Sequence, residues 1–265
     1  MPVSGKPKTL PLLALLAAIV AIGISLYGFL APRGMTEDAA FGDRVKAYLM
    51  ENPGVLREAL ITLSQREKQA AAEQQQALLT TYSDDLQNDG YSFVAGNPEG
   101  DVTIVEFFDY RCGYCKKSFP DLMKAVQEDG NTRLVLKEFP ILGAESFLAS
   151  QAAIAALEQG KYEVFHAALM ESHGSLTKER ILSIAEQSGL DTNKLQADMQ
   201  SDKTREVIEK NHELAGKLGI SGTPAFIIGD QFIPGVISLE DMKTVINAVR
   251  AQAKAAGNAA DKSDS

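Results

Sequence analysis

The amino-acid sequence predicts an α/β fold whose sheet has about four or five strands and whose two halves are separated by a helical insertion. The first half has β-α-β order and the second has β-β-α order. Between them, residues 140–218 show only helical patterns. In order, the predicted elements of the two halves are a strand from Thr103 to Phe108, a helix from Cys112 to Gln127, strands from Leu134 to Phe139, Ala225 to Ile228 and Gln231 to Ile233, and a helix from Leu239 to Arg250.

A short additional strand is predicted from Tyr91 to Val94. The turn residues Asn97-Pro98-Glu99-Gly100 separate it from the next strand, so we expect the domain to span residues 91–250. The helices predicted in the insertion are Ser146 to Glu158, Lys161 to Ser172, Thr177 to Ser188, Asp191 to Gln200 and Asp202 to Leu218.

Residues 1–34 differ in composition from the rest of the chain. Leu10 to Leu30 carries no charged residue and is long enough to span a bilayer. Because Lys6 and Lys8 precede this run, we expect that end to stay in the cytoplasm and the rest of the chain to be exported. A signal-anchor at residues 10–30 is favoured over a cleaved signal peptide, whose apolar region is usually shorter. Either outcome places the protein in the periplasm or cell envelope, which is oxidising.

Residues 35–90 are rich in Ala, Gln, Glu and Leu and are predicted to form a helical stalk. A helix from Asp43 to Glu51 ends at Asn52-Pro53, and Pro53 can begin a second helix that runs to about Gln87. This helix could pack on the following domain, remain solvated or pair with copies of itself, and we favour self-association through residues 42–87. Its interrupted heptad pattern has apolar Leu56, Leu60, Leu63, Ala70 and Ala77, with Glu67 and Gln74 at intervening positions.

Charge and composition limit the other possibilities. The formal net charge is −9 and basic residues are dispersed among acidic ones, which argues against a nucleic-acid partner. Residues 251–265 contain no apolar side chain larger than Ala. Because such a stretch cannot bury enough surface to order itself, we expect a disordered tail.

The chain has only two cysteines, and they are three residues apart in Cys112-Gly113-Tyr114-Cys115. If a buried strand precedes them and a helix follows, Cys112 lies at a helix N-terminus, where unpaired N–H groups and the helix dipole favour the thiolate. Cys115 is one helical turn on and is placed to resolve the mixed disulfide that Cys112 forms. The pair therefore predicts thiol–disulfide exchange. Three basic residues add positive charge nearby: Arg111, Lys116 and Lys117.

Three other uses of the cysteines are possible. A structural zinc site needs about four ligands, and His166, His173 and His212 lack the usual paired spacing near the motif. A structural disulfide that closes so short a loop would constrain the unfolded chain little. Two thiolates could hold Cu(I), which would make the chain a non-enzymatic copper-binding or scaffold protein. The exchange reaction itself predicts no metal and no cofactor.

A second element of the site precedes the strand at Ala225. The stretch Ser221-Gly222-Thr223-Pro224 ends in a proline at the mouth of a buried strand, where it cannot donate a ladder hydrogen bond. We therefore expect Pro224 in a loop, either after a cis peptide bond or within an ordinary turn.

These motifs resemble the DsbA-like branch of the thioredoxin superfamily. The matching features are Glu106-Phe107-Phe108-Asp109-Tyr110-Arg111-Cys112-Gly113-Tyr114-Cys115, the helical insertion and Thr223-Pro224. Val102 to Phe119 and the helical extension are most similar to ScsC-like exported proteins, which are related to suppressors of copper sensitivity. The resemblance covers residues 91–250 for the fold and 42–90 more loosely. It implies a thioredoxin-like fold with a DsbA-like helical insertion.

The resemblance also implies substrate-binding residues. Pro224 would be cis and would face the cysteines, and Thr223 would present backbone groups to an extended substrate. Tyr114, inside the motif, completes the expected substrate-binding set.

A buried acid is a further implied feature. Glu106, six residues before Cys112, matches the acid of the family. A desolvated carboxyl beneath the motif could accept the proton of Cys115. The alternative is that Glu106 is a surface or salt-bridged strand residue. Asp109 is nearer in sequence and is expected at the exposed end of the strand.

The dipeptide between the cysteines differs from that of strongly oxidising DsbA members, which often have His there. Gly113 and Tyr114 supply neither a positive charge nor a donor side chain to the thiolate. A less stabilised thiolate means a milder oxidant. We therefore expect a cell-envelope thiol–disulfide oxidoreductase that acts mainly as isomerase or reductase. The alternative is a monomeric DsbA-type dithiol oxidase.

The expected partners follow from this chemistry. Exported proteins with thiols or disulfides would be the substrates, and an unidentified membrane protein would reset the cysteines. ScsC-like relatives include trimers with isomerase activity, so the resemblance implies a homotrimer through residues 42–87. Several active sites on one particle could engage a misoxidised substrate repeatedly.

Overall fold

The computed structural model describes residues 19–25 and 35–263. Residues 19–25 are helical, and the remainder of the predicted membrane segment, Leu10 to Leu30, lies outside the described residues. Within the described ranges, no helix is long and apolar enough to cross a membrane. The chain divides into two compact units, Met1–Lys68 and Gln69–Ser265.

The first unit contains a helix α1 (Met35–Glu51) and most of a helix α2 (Pro53–Thr81). Helix α1 begins earlier than predicted, whereas α2 begins at the expected proline. The Asn52 side chain donates a hydrogen bond of 2.9 Å to the carbonyl oxygen of Tyr48, which closes the end of α1. Many large apolar side chains of this unit are exposed: Phe41, Val45, Tyr48, Met50, Val55, Leu56, Leu60, Ile61 and Leu63.

The end of the predicted stalk belongs to the second unit. Helix α2 stops at Thr81, and a short helix α3 (Ser83–Gln87) follows, so the single helix predicted to Gln87 is divided. Leu79 and Leu86 are buried in a core cluster of the second unit. Gln75 donates a hydrogen bond of 3.2 Å to the carbonyl oxygen of Leu218. This part of the stalk therefore packs on the folded domain.

The second unit is built on one sheet of five strands, in the order β1-β3-β2-β4-β5. Strands β2 and β3 are parallel, and the other neighbouring strands are antiparallel. The predicted α/β sheet is confirmed, although its first strand begins two residues later than expected. The strands are β1 (Phe93–Gly96), β2 (Val102–Phe108), β3 (Thr132–Glu138), β4 (Ala225–Ile228) and β5 (Gln231–Pro234).

Helices cover both faces of this sheet. One face of β2 packs against the first helix after it, through residues such as Ile104 and Leu122, and the opposite face, with Phe107, packs against Leu86 and Leu214. The predicted insertion is helical, with one 3₁₀ turn at Leu157–Gln159. The helices are α4 (Gly113–Asp129), α5 (Ala144–Ala156), α6 (Tyr162–Glu171), α7 (Lys178–Gln187), α8 (Thr192–Met199), α9 (Asp202–Lys217) and α10 (Leu239–Ser263).

The prediction of a disordered tail at residues 251–265 is wrong as far as Ser263. Helix α10 continues past Arg250 to that residue, and the side chains at 251–257 are exposed. Alanine is the strongest helix former, and adding a residue to an existing helix avoids the cost of nucleation. The tail can therefore extend α10 without a core of its own.

We expect Leu86→Ala to lower the free energy of unfolding by about 2–5 kcal/mol, because it removes a buried side chain and leaves a cavity. Leu86 is 1% exposed. Leu142→Ala, at a side chain that is 46% exposed, is the matched control and should cost less than about 0.5 kcal/mol. Denaturant unfolding compares the two variants, and equal losses would contradict the docking of α3.

Candidate active site

Cys112 is the N-cap residue of helix α4. Its backbone is extended, with φ −72° and ψ 110°, and its Sγ accepts a hydrogen bond from the backbone N–H of Cys115 at 3.3 Å. In the thiol form, Sγ also donates to the carbonyl oxygen of Thr223 at 3.2 Å. The helix thus begins one residue later than predicted. The sulfur lies where the free N–H groups of the helix terminus can stabilise a thiolate.

Hydrogen bonds and burial separate the acidities of the two cysteines. The hydrogen bond with Cys115, assisted by Thr223 and by backbone N–H groups and opposed by burial, lowers the pKa of Cys112 from 9.0 to about 6. Burial, the hydrogen bond with Cys112 and the charge of Glu106 raise the pKa of Cys115 far above its ordinary value. At neutral pH, Cys112 is therefore a thiolate and Cys115 a thiol.

Two of the three predicted cations beside the motif have other partners. The Nε of Arg111 lies 3.2 Å from a carboxylate oxygen of Glu145. The Nζ of Lys116 donates to three carbonyl oxygens at the C-terminal end of α6, at 2.7 to 3.2 Å. Neither cation is among the main causes of the lowered pKa of Cys112. Lys116 instead joins the cysteine-bearing helix to the helical insertion.

The loop before β4 lies against Cys112. The Thr223–Pro224 peptide bond is cis, and the Pro224 carbonyl accepts a hydrogen bond of 2.8 Å from the backbone of Gly235. Thr223 and Pro224 line a groove of about 370 Å³. Tyr114 is 67% exposed on the first turn of α4. The structure therefore brings Thr223 and Pro224 to Cys112 and presents Tyr114 to solvent.

Glu106 lies in the middle of β2 and is 1% exposed. Its neighbours across the sheet are apolar, Leu136 on β3 and Phe226 on β4. Among the described residues, neither of its carboxyl oxygens has a hydrogen-bond partner. Burial, with the charges of Cys112 and Glu138, raises the pKa of Glu106 to about 8. The alternative of a surface or salt-bridged residue is thereby excluded.

Asp109 is fully buried, so the expectation that it lies at an exposed strand end is wrong. Its carboxylate accepts hydrogen bonds from the backbone N–H groups of Arg111 at 2.7 Å, Ile141 at 2.8 Å and Leu142 at 3.0 Å. The physical reason is that the loop after β3 covers the end of β2, and its N–H groups need an acceptor. Asp109 thus joins this loop to the one that carries Cys112.

A buried polar cluster beside the site was missed by sequence reasoning. Tyr110 and Tyr162 donate to the Oε1 of Glu138 at 2.9 and 2.7 Å, and the Tyr110 hydroxyl lies 2.9 Å from the Nδ1 of His166. Burial, partly offset by hydrogen bonding with Ser150, Tyr162 and Tyr110, raises the pKa of Glu138 to about 8. Burial and the charge of Lys116 lower the pKa of His166 to about 3, so its ring is neutral. The available signal was an acid, Glu138, in an apolar strand.

The described ranges 19–25 and 35–263 contain no group of three or more His, Cys, Asp or Glu residues that is arranged to hold a metal ion. His166 contacts Tyr110, and the Nε2 of His212 lies 3.2 Å from the carbonyl oxygen of Pro140. Cys112 and Cys115 are the soft ligand pair that the copper hypothesis would require.

The sheet, the cysteine pair and the cis-proline loop define a thioredoxin-like domain of the DsbA type. Residues 103–247 match the DSBA-like thioredoxin domain, and the chain belongs to this family. Residues 37–70 match the copper resistance protein ScsC N-terminal domain.

Solved structures support the same relationship. A thioredoxin-like oxidoreductase from Silicibacter pomeroyi DSS-3 is 45% identical, covers 63% of this chain and 97% of its own, and superposes with a TM-score of 0.62. Proteus mirabilis ScsC in a transitional conformation is 28% identical over 82% of this chain and 98% of its own, with a TM-score of 0.62. The Na⁺/H⁺ antiporter NhaA 3 of Salinispora tropica is 26% identical over 61% of this chain, but the match spans only 25% of the antiporter.

We expect the thiolate of Cys112 to form with a midpoint near pH 6, because its hydrogen bonds favour the charged form. Ultraviolet thiolate absorbance of the reduced protein measures this midpoint, with Cys112→Ser as the blank. Cys115→Ser should raise the midpoint, since it removes the side-chain hydrogen bond that lowers the pKa most. A wild-type midpoint near the ordinary value of 9.0 would contradict the assigned electrostatics.

Proposed function

We propose that the protein is a disulfide isomerase and reductase of the cell envelope that acts through Cys112 and Cys115. The observation that carries this proposal is the division of acidity between the two thiols. Cys112, with a pKa near 6, lies at the N-terminus of α4 and is 5% exposed, and Cys115, fully buried with a strongly raised pKa, lies one helical turn further on. This arrangement favours attack by Cys112 and delayed attack by Cys115.

The proposed reaction has two displacement steps. The Cys112 thiolate attacks one sulfur of a substrate disulfide, a Cys112–substrate bond forms, and the other substrate sulfur leaves as a thiolate that takes a proton from water. Cys115 then transfers its proton to Glu106 and attacks the Sγ of Cys112, which releases the second substrate thiolate. Two electrons pass to the substrate, and the Cys112–Cys115 disulfide remains.

Glu106 is proposed as the proton acceptor in the second step. It is buried and its oxygens have no other partner among the described residues, so its carboxylate is a strong base. The charge of Glu106 contributes to the raised pKa of Cys115, which supports their proximity. A base with a pKa near the working pH suits general base catalysis.

Thr223, Pro224 and Tyr114 are proposed to bind the substrate chain. When Cys112 is a thiol, the Thr223 carbonyl accepts a hydrogen bond from its Sγ. As a thiolate or in a mixed disulfide, Cys112 has no proton to donate, so this carbonyl is free for a backbone N–H of an extended substrate. Exposed Tyr114 offers an aromatic surface to the flanking residues.

The isomerase and reductase assignment is favoured over a monomeric DsbA-type oxidase by the acidity of Cys112. Cysteines of such sites have pKa values from about 3.5 in DsbA to about 7 in thioredoxin, and a pKa near 6 lies toward the thioredoxin end. Its causes are hydrogen bonds, with no positive side chain from Gly113 or Tyr114. A less stabilised reduced form makes a milder oxidant.

Assembly and location are also proposed. The apolar side chains exposed in α1 and the first part of α2 support a homo-oligomer, with a trimer favoured. We call the apolar stripe of α2 that contains Leu56, Leu60 and Leu63 the seam. The segment available for self-association is shorter than the predicted range 42–87, since Leu79 and Leu86 pack on the second unit. We propose a periplasmic active site, anchored through residues 10–30 or released by cleavage, that acts on exported proteins and is reset by a membrane redox partner.

Cys112→Ser should reduce insulin reduction and the refolding of a scrambled disulfide substrate to background, because the attacking sulfur is gone. Cys115→Ser should still attack but should accumulate mixed disulfides, which non-reducing electrophoresis detects. Full insulin reduction and refolding activity in Cys112→Ser would contradict the thiol-exchange mechanism and would favour a copper-binding or scaffold role.

Replacing Leu56, Leu60 and Leu63 together by Lys should lower the solution mass to that of a monomer, because three charges would enter the proposed seam. Glu58→Lys, at a position outside the heptad pattern, is the matched control and should keep the wild-type mass. Light scattering measures both. Insulin reduction per active site should be unchanged, whereas scrambled-substrate refolding should fall. An unaltered mass in the triple variant would refute the seam but not the thiol site.

A further inference from the structure

Two carboxyl groups are buried on one face of the central strands. Glu106 on β2 pairs with Leu136 on β3, and Glu138 is two residues further along β3. Because side chains two residues apart point to the same side of a strand, Glu138 shares the face of Glu106. Glu106 is 1% exposed and Glu138 is 2% exposed. Helix α4, which carries Cys115, packs on this face.

The two carboxyls differ in their hydrogen bonds. The Oε1 of Glu138 accepts from the hydroxyls of Tyr110 and Tyr162, at 2.9 and 2.7 Å, and its Oε2 has no partner among the described residues. Both oxygens of Glu106 have no partner among the described residues. A buried negative charge is costly unless donors stabilise it. Burial raises the pKa of both carboxyls to about 8, and the two donors make Glu138 the better suited of the two to carry a charge.

His166 orients the cluster. Its Nδ1 lies 2.9 Å from the Tyr110 hydroxyl, and its Nε2 is buried without a partner among the described residues. Tyr110 has one proton, and donating it to Glu138 requires the Nδ1–H of His166 to donate to the Tyr110 oxygen. The opposite tautomer would bury an unpaired N–H. The hydrogen bonds thus run from His166 through Tyr110 to Glu138.

We propose that Glu138 is a positioning residue for the exchange reaction: its tyrosine-held carboxylate sets how firmly Glu106 holds the proton taken from Cys115. This inference rests on the proposed role of Glu106. Two like charges on one buried face oppose each other, so ionised Glu138 makes Glu106 a stronger base. One proton moves, from the Sγ of Cys115 to Glu106, and Glu138 neither gains nor loses one.

The surroundings of the two carboxyls support this coupling. Burial, Cys112 and then Glu138 raise the pKa of Glu106 to about 8. The two tyrosine hydroxyls act in the opposite sense on Glu138, since they lower its pKa against burial. The ionisable groups that face the pair are Cys112, Cys115, Asp109, Tyr110, Tyr162 and His166, with Lys116 beside His166.

The test measures the second exchange step against pH. Reduced protein is mixed rapidly with oxidised glutathione, and the release of glutathione from the Cys112 mixed disulfide is followed. In the wild type, the rate of glutathione release should rise with pH as Glu106 ionises. We call this rising part of the pH profile the acid limb. Glu138→Gln keeps the shape of the side chain and removes its charge, so the acid limb should move to lower pH by about one unit. Tyr162→Phe, which removes one donor, should move the limb in the same direction.

Controls separate this inference from the proposed function. Glu163→Gln removes an exposed carboxyl of α6 and should leave the acid limb in place. Glu106→Gln should abolish the limb, and a limb that persists in that variant would refute the role of Glu106. If Glu106→Gln abolishes the limb but Glu138→Gln and Tyr162→Phe leave it at the wild-type pH, only the Glu138 inference is overturned. A slower rate with an unmoved limb would overturn that inference equally, because a purely structural defect would produce it.

Discussion

Hydrogen bonding of the Cys112 Sγ to Cys115, through the Cys115 thiol and through its backbone N–H at 3.3 Å, is the interaction on which the site depends. It exists because Cys112 is the N-cap of α4, so its sulfur occupies the place where a capping side chain normally accepts. Asp109 joins the loop before Cys112 to the loop after β3, because it accepts hydrogen bonds from the N–H groups of Arg111, Ile141 and Leu142. The Thr223 carbonyl lies 3.2 Å from the Cys112 sulfur. The fold thus places a thiolate where the Cys115 thiol and peptide N–H groups, rather than side-chain cations, stabilise it.

Two carboxyl groups, those of Glu106 and Glu138, are buried in the core near this thiolate, at positions where apolar side chains would be more stable. Strand β2 is buried along nearly its whole length, yet Glu106 interrupts it without a hydrogen-bond partner among the described residues. Burying such a group costs folding free energy. The proposed mechanism gives this cost a chemical use, since a desolvated carboxyl beside a buried thiol can take the proton that the thiol must lose. The neighbouring strand β3 carries a second buried carboxyl, Glu138, which accepts hydrogen bonds from Tyr110 and Tyr162.

The sequence was informative where the relevant interactions are local. An apolar run followed by Cys112 and Cys115 defines a strand, a helix terminus and two sulfurs within one short stretch, and Pro224 marks its own loop. Contacts between distant segments could not be predicted. Glu138 meets Tyr162, and Tyr110 meets His166, only after β3 and α6 assemble. Two of the backbone N–H groups that Asp109 accepts from come from the loop after β3. The docking of Leu86 similarly depends on a face of the sheet that heptad spacing does not reveal.

The redox potential of the Cys112–Cys115 pair measures how strongly the site stabilises its reduced form, and so it distinguishes a mild exchanger from a strong oxidase. Equilibration of the full chain with glutathione buffers, followed by alkylation and quantification of the two states, gives this value. Hydrogen bonds without a side-chain cation predict a potential well below about −120 mV and close to the value of about −180 mV of a disulfide isomerase. A potential at or above about −120 mV would contradict this mild stabilisation of the thiolate and would identify the protein as a strong dithiol oxidase.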